Sequence, residues 1–163
     1  MIDIQAEFED AVYTYREFFK KEGITLNYTD PQREFAPLPG DPERLRQVFS
    51  NLLDNAAKHG GAGKQIDTTI GEEDGFVAII IRDYGPGIPE EELPHVKEKF
   101  HKGSSKARGN GIGLAVCDEI IQRHGGRLDI TNAQDGHGCV VTILLPMSSD
   151  VSPTALPGTD EAK

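Results

Sequence analysis

The stretch NLLDNAAKHG at 51–60 sets two asparagines, Asn51 and Asn55, one turn apart on a helix that is otherwise amphipathic. Asparagine is a mediocre helix former, because its amide competes with the backbone for hydrogen bonds. The same amide oxygen is a neutral hard ligand. It suits Mg²⁺, which takes few protein ligands and keeps its waters and substrate phosphates. Two polar residues on the outer face of a helix would give the same pattern.

Asp83 ends an apolar run, FVAIIIRD, just ahead of Gly85 and Gly87. A carboxylate at a strand end can accept hydrogen bonds from an exocyclic amine. It can equally bond its own backbone in a turn. In GNGIGL, Gly109, Gly111 and Gly113 stand at every second position immediately before a helical pattern. Glycines let a ligand approach the backbone, and a helix N-terminus offers free N–H groups and a positive dipole to an anion. A flexible hinge has the same composition. The dinucleotide spacing G-x-G-x-x-G after a strand is absent. A phosphate-binding P-loop also fails at GGAGKQ, where Lys58 replaces its first glycine and Gln65 its Ser or Thr. Lys97, Lys99, Lys102, Lys106 and Arg108, opposed only by Glu98, form a basic run that on charge alone reads as a solvated loop.

The frame that must hold these residues is one domain. The chain has 163 residues, 37% hydrophobic and 27% charged, enough for a real core. A net charge of -10 argues against nucleic acid or an anionic membrane as the main partner. Cys117 and Cys139 have no metal-ligand spacing and read as buried, reduced thiols, in keeping with a cytosol. No apolar run reaches the roughly 18–20 residues of a membrane span, and no signal-peptide core follows Met1.

Phe8, Val12, Tyr15 and Phe19 predict a helix over 3–21, and a short strand follows at 24–28. Pro31, Pro37 and Pro39 break 29–40 into a loop or edge segment. Asp41 then reads as an N-cap with Pro42 at the first helical position, and the helix ends near His59. Strands at 65–70 and 76–82 form a hairpin turning over 72–75. The second strand lacks alternation and is expected to be central. A segment at 90–100 starts as helix but is interrupted by Pro94, and 101–110 reads as a loop. A helix at 113–124 precedes strands at 127–131 and 139–145. After Pro146 the composition predicts a disordered tail over 147–163. The order αβαββ(α)αββ predicts an α+β two-layer sandwich with a mixed, mostly antiparallel sheet and helices on one face.

Taken together and in this order, these stretches resemble the catalytic, ATP-binding domain of sensor histidine kinases, a member of the Bergerat-fold superfamily. QVFSNLLDNAAKHG resembles the N box, DYGPGIP the first glycine box, EKFHKGSS the phenylalanine box and GNGIGLAV the second glycine box. HGGRLDI and GHGCVVTILLP resemble the closing strands, so the likeness covers about 41–146. The resemblance implies a catalytic domain over 1–146 with ATP and Mg²⁺ as cofactors and a mobile lid at about 94–110. It implies that Asp83 binds the adenine amino group and that Gly85, Gly87 and Ile88 shape the base pocket. Asn55 would hold Mg²⁺, Asn51 would line the phosphate side, and Lys58 and Lys102 would reach the phosphates. His59 stands where the family has tyrosine against the nucleotide, and Phe100 would anchor the lid. Gly109, Gly111, Gly113 and the adjoining Leu114 would cradle the triphosphate. Lys97 takes a slot often filled by phenylalanine, and Cys139 replaces a usual hydroxyl residue.

Relatives that hydrolyse ATP or phosphorylate serine resemble one another in carrying glutamate at the position of Asn51. An amide cannot accept a proton as general base, whereas a histidine acceptor already has a free lone pair. The resemblance therefore implies phosphoryl transfer to histidine. The five histidines, His59, His95, His101, His124 and His137, lack the family's phosphoacceptor context. That acceptor is expected on a separate dimerisation domain, with a response regulator downstream, so the isolated domain is expected to be a monomer with little turnover. A scaffold that has lost nucleotide binding is the rival reading. The expected location is the cytoplasm, whether or not the parent protein is anchored in an inner membrane.

Overall fold

The computed structural model describes residues 1–97 and 110–147. Phe100, Lys102, Gly109, most of the expected lid and the tail from 148 onward lie outside the described residues.

Three α-helices each begin or pack for a legible reason. Helix α1 (Ile4–Lys20) starts at Asp3, whose carboxylate accepts from the Ala6 N–H. Helix α2 (Pro42–Gly60) starts at Asp41, whose side chain accepts from the Glu43 and Arg44 N–H groups, with Pro42 pre-set for the first turn. Helix α3 (Asn110–Arg123) begins three residues earlier than its apolar spacing predicts, so Gly111 and Gly113 lie inside its first turn rather than ahead of it. Glycine costs a helix about 1 kcal/mol but does not block it. Single 3₁₀ turns follow at Gly61–Gly63 and Leu93–His95, the latter being the helical part of the expected 90–100 segment among its described residues.

Five strands, β1 (Thr25–Thr29), β2 (Gln65–Glu73), β3 (Phe76–Asp83), β4 (Arg127–Asn132) and β5 (Cys139–Pro146), form one sheet in the order β1-β2-β3-β5-β4. The β1–β2 pair is parallel and the other three are antiparallel. The mixed, mostly antiparallel sheet is thus as expected, with β3 central. The hairpin turn is tighter than expected. Asp74 and Gly75 both have positive φ, 53° and 85°, so two residues suffice, and Glu73 pairs directly with Phe76.

One core joins all three helices to one face of the sheet. It contains Phe8 and Phe19 from α1, Phe49 and Leu53 from α2, Cys117 and Ile121 from α3, and Ile66, Ile79, Ile81, Leu128 and Ile143 from the strands. Phe8 meets Phe49 edge-on at 5.2 Å between ring centres and Tyr28 at 6.1 Å. Phe76, Ala78 and Leu144 form a small separate cluster. Both cysteines are free and buried, and burial pushes the thiols up to about 11 at Cys117 and about 12 at Cys139.

Helices α2 and α3 run antiparallel. Cys117 Sγ accepts from Asn51 Nδ2 at 3.8 Å and lies 4.0 Å from the Val48 carbonyl. Farther along, the end of α3 meets the start of α2. His124 Nε2 accepts the Asp41 N–H at 3.0 Å while Nδ1 faces the Ile120 carbonyl at 2.8 Å. The second contact requires the proton on Nδ1. A cleft of about 450 Å³ opens beside this joint, lined by Arg44, Glu119 and Arg123 among others. The opposite ends, the close of α2 and the start of α3, therefore point the same way.

Candidate functional site

At that second end, β3 delivers Asp83 into a tightly built corner. The residue is 6% exposed. Its Oδ1 accepts from the Gly85 N–H at 3.0 Å and from the Cys139 N–H at 3.2 Å. The turn reading of Asp83 is therefore correct for one oxygen. Among the described residues nothing donates to Oδ2, which leaves it as an acceptor. Burial raises the carboxyl above its ordinary value, offset in part by those two N–H groups and by the charge of His59.

Helix α2 closes on this carboxylate. A Cβ on Gly60 would lie 2.1 Å from Asp83 Cγ, and one on Gly85 would lie 2.5 Å from the Gly60 Cα. Both contacts require glycine. The sequence offers Gly60 only as a helix stop, and its packing role has no signal there.

The loop after Asp83 has its own clamp. The Ile88 N–H donates to Asn132 Oδ1 at 2.8 Å, and Asn132 Nδ2 donates back to the Ile88 carbonyl at 2.8 Å. Asn132, at the end of β4, is absent from the sequence-based site. So is Arg82, whose Nη2 holds Asp135 at 2.8 Å and the His137 carbonyl at 3.0 Å, bracing the β4–β5 turn against β3.

Asn55 lies five residues before Gly60, about 7.5 Å along the axis at 1.5 Å per residue. Its Oδ1 is buried with no hydrogen-bond partner among the described residues. An orphaned amide oxygen of this kind costs roughly 1–3 kcal/mol and fits a site completed by a hard cation. Asn51, a turn further back, spends its amide N–H on Cys117. Lys58 pairs with Asp54 at 3.4 Å on the solvent side of the helix. Gly111 and Gly113 sit in the opening turn of α3, where free N–H groups are presented, and a Cβ on Gly113 would meet nothing within 4 Å. The Leu114 side chain packs on the core.

Lys97 departs from the basic-loop reading. Its Nζ donates to the Leu128 carbonyl at 2.7 Å and pairs at 3.3 Å with Asp118 Oδ1, without hydrogen-bond alignment to that oxygen. The residue thus ties the start of the basic run to α3 and β4.

Residues 40–149 match the family model described as histidine kinase-, DNA gyrase B- and HSP90-like ATPase. Over 118 residues the chain is 42% identical to the signal transduction histidine-protein kinase AfsQ2 of Streptomyces coelicolor, covering 71% of this chain and 21% of that protein. The nucleotide-free catalytic domain of histidine kinase ThkA has the same fold, with a TM-score of 0.77, 23% identity, and coverage of 90% of this chain and 93% of that one. The mycobacterial sensor histidine kinase MprB matches with a TM-score of 0.74, 27% identity, and coverage of 89% and 96%. The chain spans about a fifth to a third of the length of the curated relatives it matches. No described helix is long and apolar enough to cross a membrane.

Proposed function

We propose that this chain, which belongs to the histidine kinase-, DNA gyrase B- and HSP90-like ATPase family, is the ATP-binding catalytic unit of a sensor histidine kinase. The observation that carries the reading is the divided carboxylate of Asp83. Two backbone N–H groups hold Oδ1 while Oδ2 is left to accept. A rigid, buried acceptor with one lone oxygen selects an exocyclic amine such as that of adenine and disfavours a purine carbonyl at the same place.

From there the triphosphate runs along α2 toward the start of α3. The N–H groups around Gly111 and Gly113 receive phosphate oxygens, and Lys58 can leave its exposed partner Asp54 for them, because such pairs are worth little. The orphaned Oδ1 of Asn55 is the protein ligand for Mg²⁺. When bound, the ion would neutralise negative charge on the triphosphate. Phe100, Lys102 and Gly109 complete the site in the way the family resemblance implies. Asn51 cannot serve as a base for water or serine, since an amide does not take up a proton at neutral pH. A neutral imidazole needs no such base, so the acceptor is a histidine on a dimerisation domain of the parent protein. A response regulator then receives the phosphoryl group, and the reaction takes place on the cytoplasmic side.

The direct test mixes the chain with its parent's phosphoacceptor domain and γ-labelled ATP. Label on histidine only when both are present supports the proposal. Phosphate release by the chain alone, at a rate matching transfer, would favour a hydrolase instead.

A further inference from the structure

We propose that Asn132 is a positioning residue for the purine pocket, holding the loop from Asp83 to Ile88 in its base-binding shape. This inference rests on the nucleotide reading of the site. Among the described residues no backbone–backbone hydrogen bond involves residues 84–88. Two side chains supply what the backbone does not. Asp83 Oδ1 turns the start of the loop through the Gly85 N–H. The Asn132 amide pairs with both the N–H and the C=O of Ile88 at the other end. The peptide groups on both sides of Ile88 are held, so neither can rotate without losing its bond to Asn132.

The placement of this clamp follows from the sheet. Asn132 stands opposite Cys139 in the β4–β5 ladder, and Cys139 gives its N–H to Asp83 Oδ1. One rung of one hairpin therefore holds both ends of the loop. Gly87 takes φ +83°, and a Cβ there would lie 2.8 Å from Asn132 Oδ1, so the bend and the clamp need the same glycine. Asn132 reaches the nucleotide only through Ile88. It contributes to binding by removing alternative loop shapes before the base arrives.

The experiment titrates the intact chain with a non-hydrolysable ATP analogue and Mg²⁺, as wild type, Asn132→Ala and Asn132→Asp, with thermal unfolding of each. Asn132→Ala is expected to weaken binding by about tenfold or more. A neutral carboxylic acid has one acceptor and one donor, like the amide, whereas its ionised form has only acceptors. Asn132→Asp should therefore bind poorly at pH 8 and narrow its gap to wild type as the pH is lowered toward the ordinary carboxyl value of about 3.9. Because Asp83 titrates in both proteins, the wild-type-to-variant ratio is read rather than the absolute affinity. An Ala variant that binds like wild type, or an Asp ratio unchanged across that range, overturns the assignment. If the Ala variant does not fold, the Asp ratio decides alone. Failure of the wild type to bind the analogue at all would instead remove the nucleotide reading.

Discussion

Gly60 and Asp83 are in contact: the last residue of α2 lies so close to the carboxylate ending β3 that a methyl group between them would stand 2.1 Å from Cγ. Real Cβ contacts do not come that near, so one of the two elements must move if Gly60 carries a side chain. Gly60→Ala is expected to lower adenine nucleotide affinity at least tenfold and to cost about 1–3 kcal/mol of stability, the usual range for overpacking. Calorimetry and urea unfolding on the same preparation check the two parts.

Asp83→Asn separates the two oxygens. The amide oxygen can still accept from Gly85 and Cys139, but a donor replaces Oδ2 and opposes the adenine amine. Affinity should fall about 100-fold, roughly 2.7 kcal/mol at 1.36 kcal/mol per decade, with little change in melting temperature. Asp83→Ala is a harsher variant, because it also strands two N–H groups. An Asn variant of unchanged affinity would remove Asp83 from the pocket.

The raised carboxyl of Asp83 gives a sign to the pH dependence. The native chain holds this proton more readily than the unfolded chain, whose value is near 3.8. As pH rises from that value through the raised one, this residue's contribution therefore declines, and it is constant above. Nucleotide binding has the opposite slope, since the ionised acceptor is the one that receives the amine. Affinity should drop as pH falls through the raised value, with proton release on binding. Calorimetry in buffers of different ionisation enthalpy would detect the release, and Asp83→Asn should abolish it.

Asn55→Ala removes the oxygen assigned to the cation. ATP affinity should then be the same with Mg²⁺ and with EDTA, while the wild type loses affinity in EDTA. A variant that retains the Mg²⁺ effect would show that the ion is held elsewhere. The orphaned oxygen adds a second readout, because its removal is expected to leave apo stability unchanged or improved.

His124 joins the far ends of α2 and α3 through Asp41. His124→Ala should cost about 1 kcal/mol in urea unfolding and change nucleotide affinity less than twofold, because the joint lies at the other end of both helices. A large loss of affinity would mean that the joint sets the relative placement of Asn55 and the start of α3.

What could be read from the residues divides along chemical lines. The central place of β3 followed from its unbroken apolar run, since a strand buried on both faces reads without alternation and sits most readily inside the sheet. The cap at Asp41 and the end of α2 near His59 are local and were legible, whereas the cap at Asp3 was not singled out. The parallel pairing of β1 with β2 was not. It depends on α2 crossing between them, and nothing in either strand records the partner's direction. Asn132 was hidden for a related reason. An asparagine before a turn reads as a turn residue, and its partner Ile88 is 44 positions away. Asp83 was ambiguous on its own because one oxygen makes the turn bonds while the other is left for the proposed purine contact.

The two-residue reversal at Asp74 and Gly75 sits at the end of β3 remote from Asp83, roughly 23 Å away at 3.3 Å per residue. A fluorophore or short graft at that tip would ride on the most deeply held strand of the molecule while keeping clear of the purine corner. It offers a handle for testing whether the domain docks on the proposed acceptor without touching the Asp83 corner.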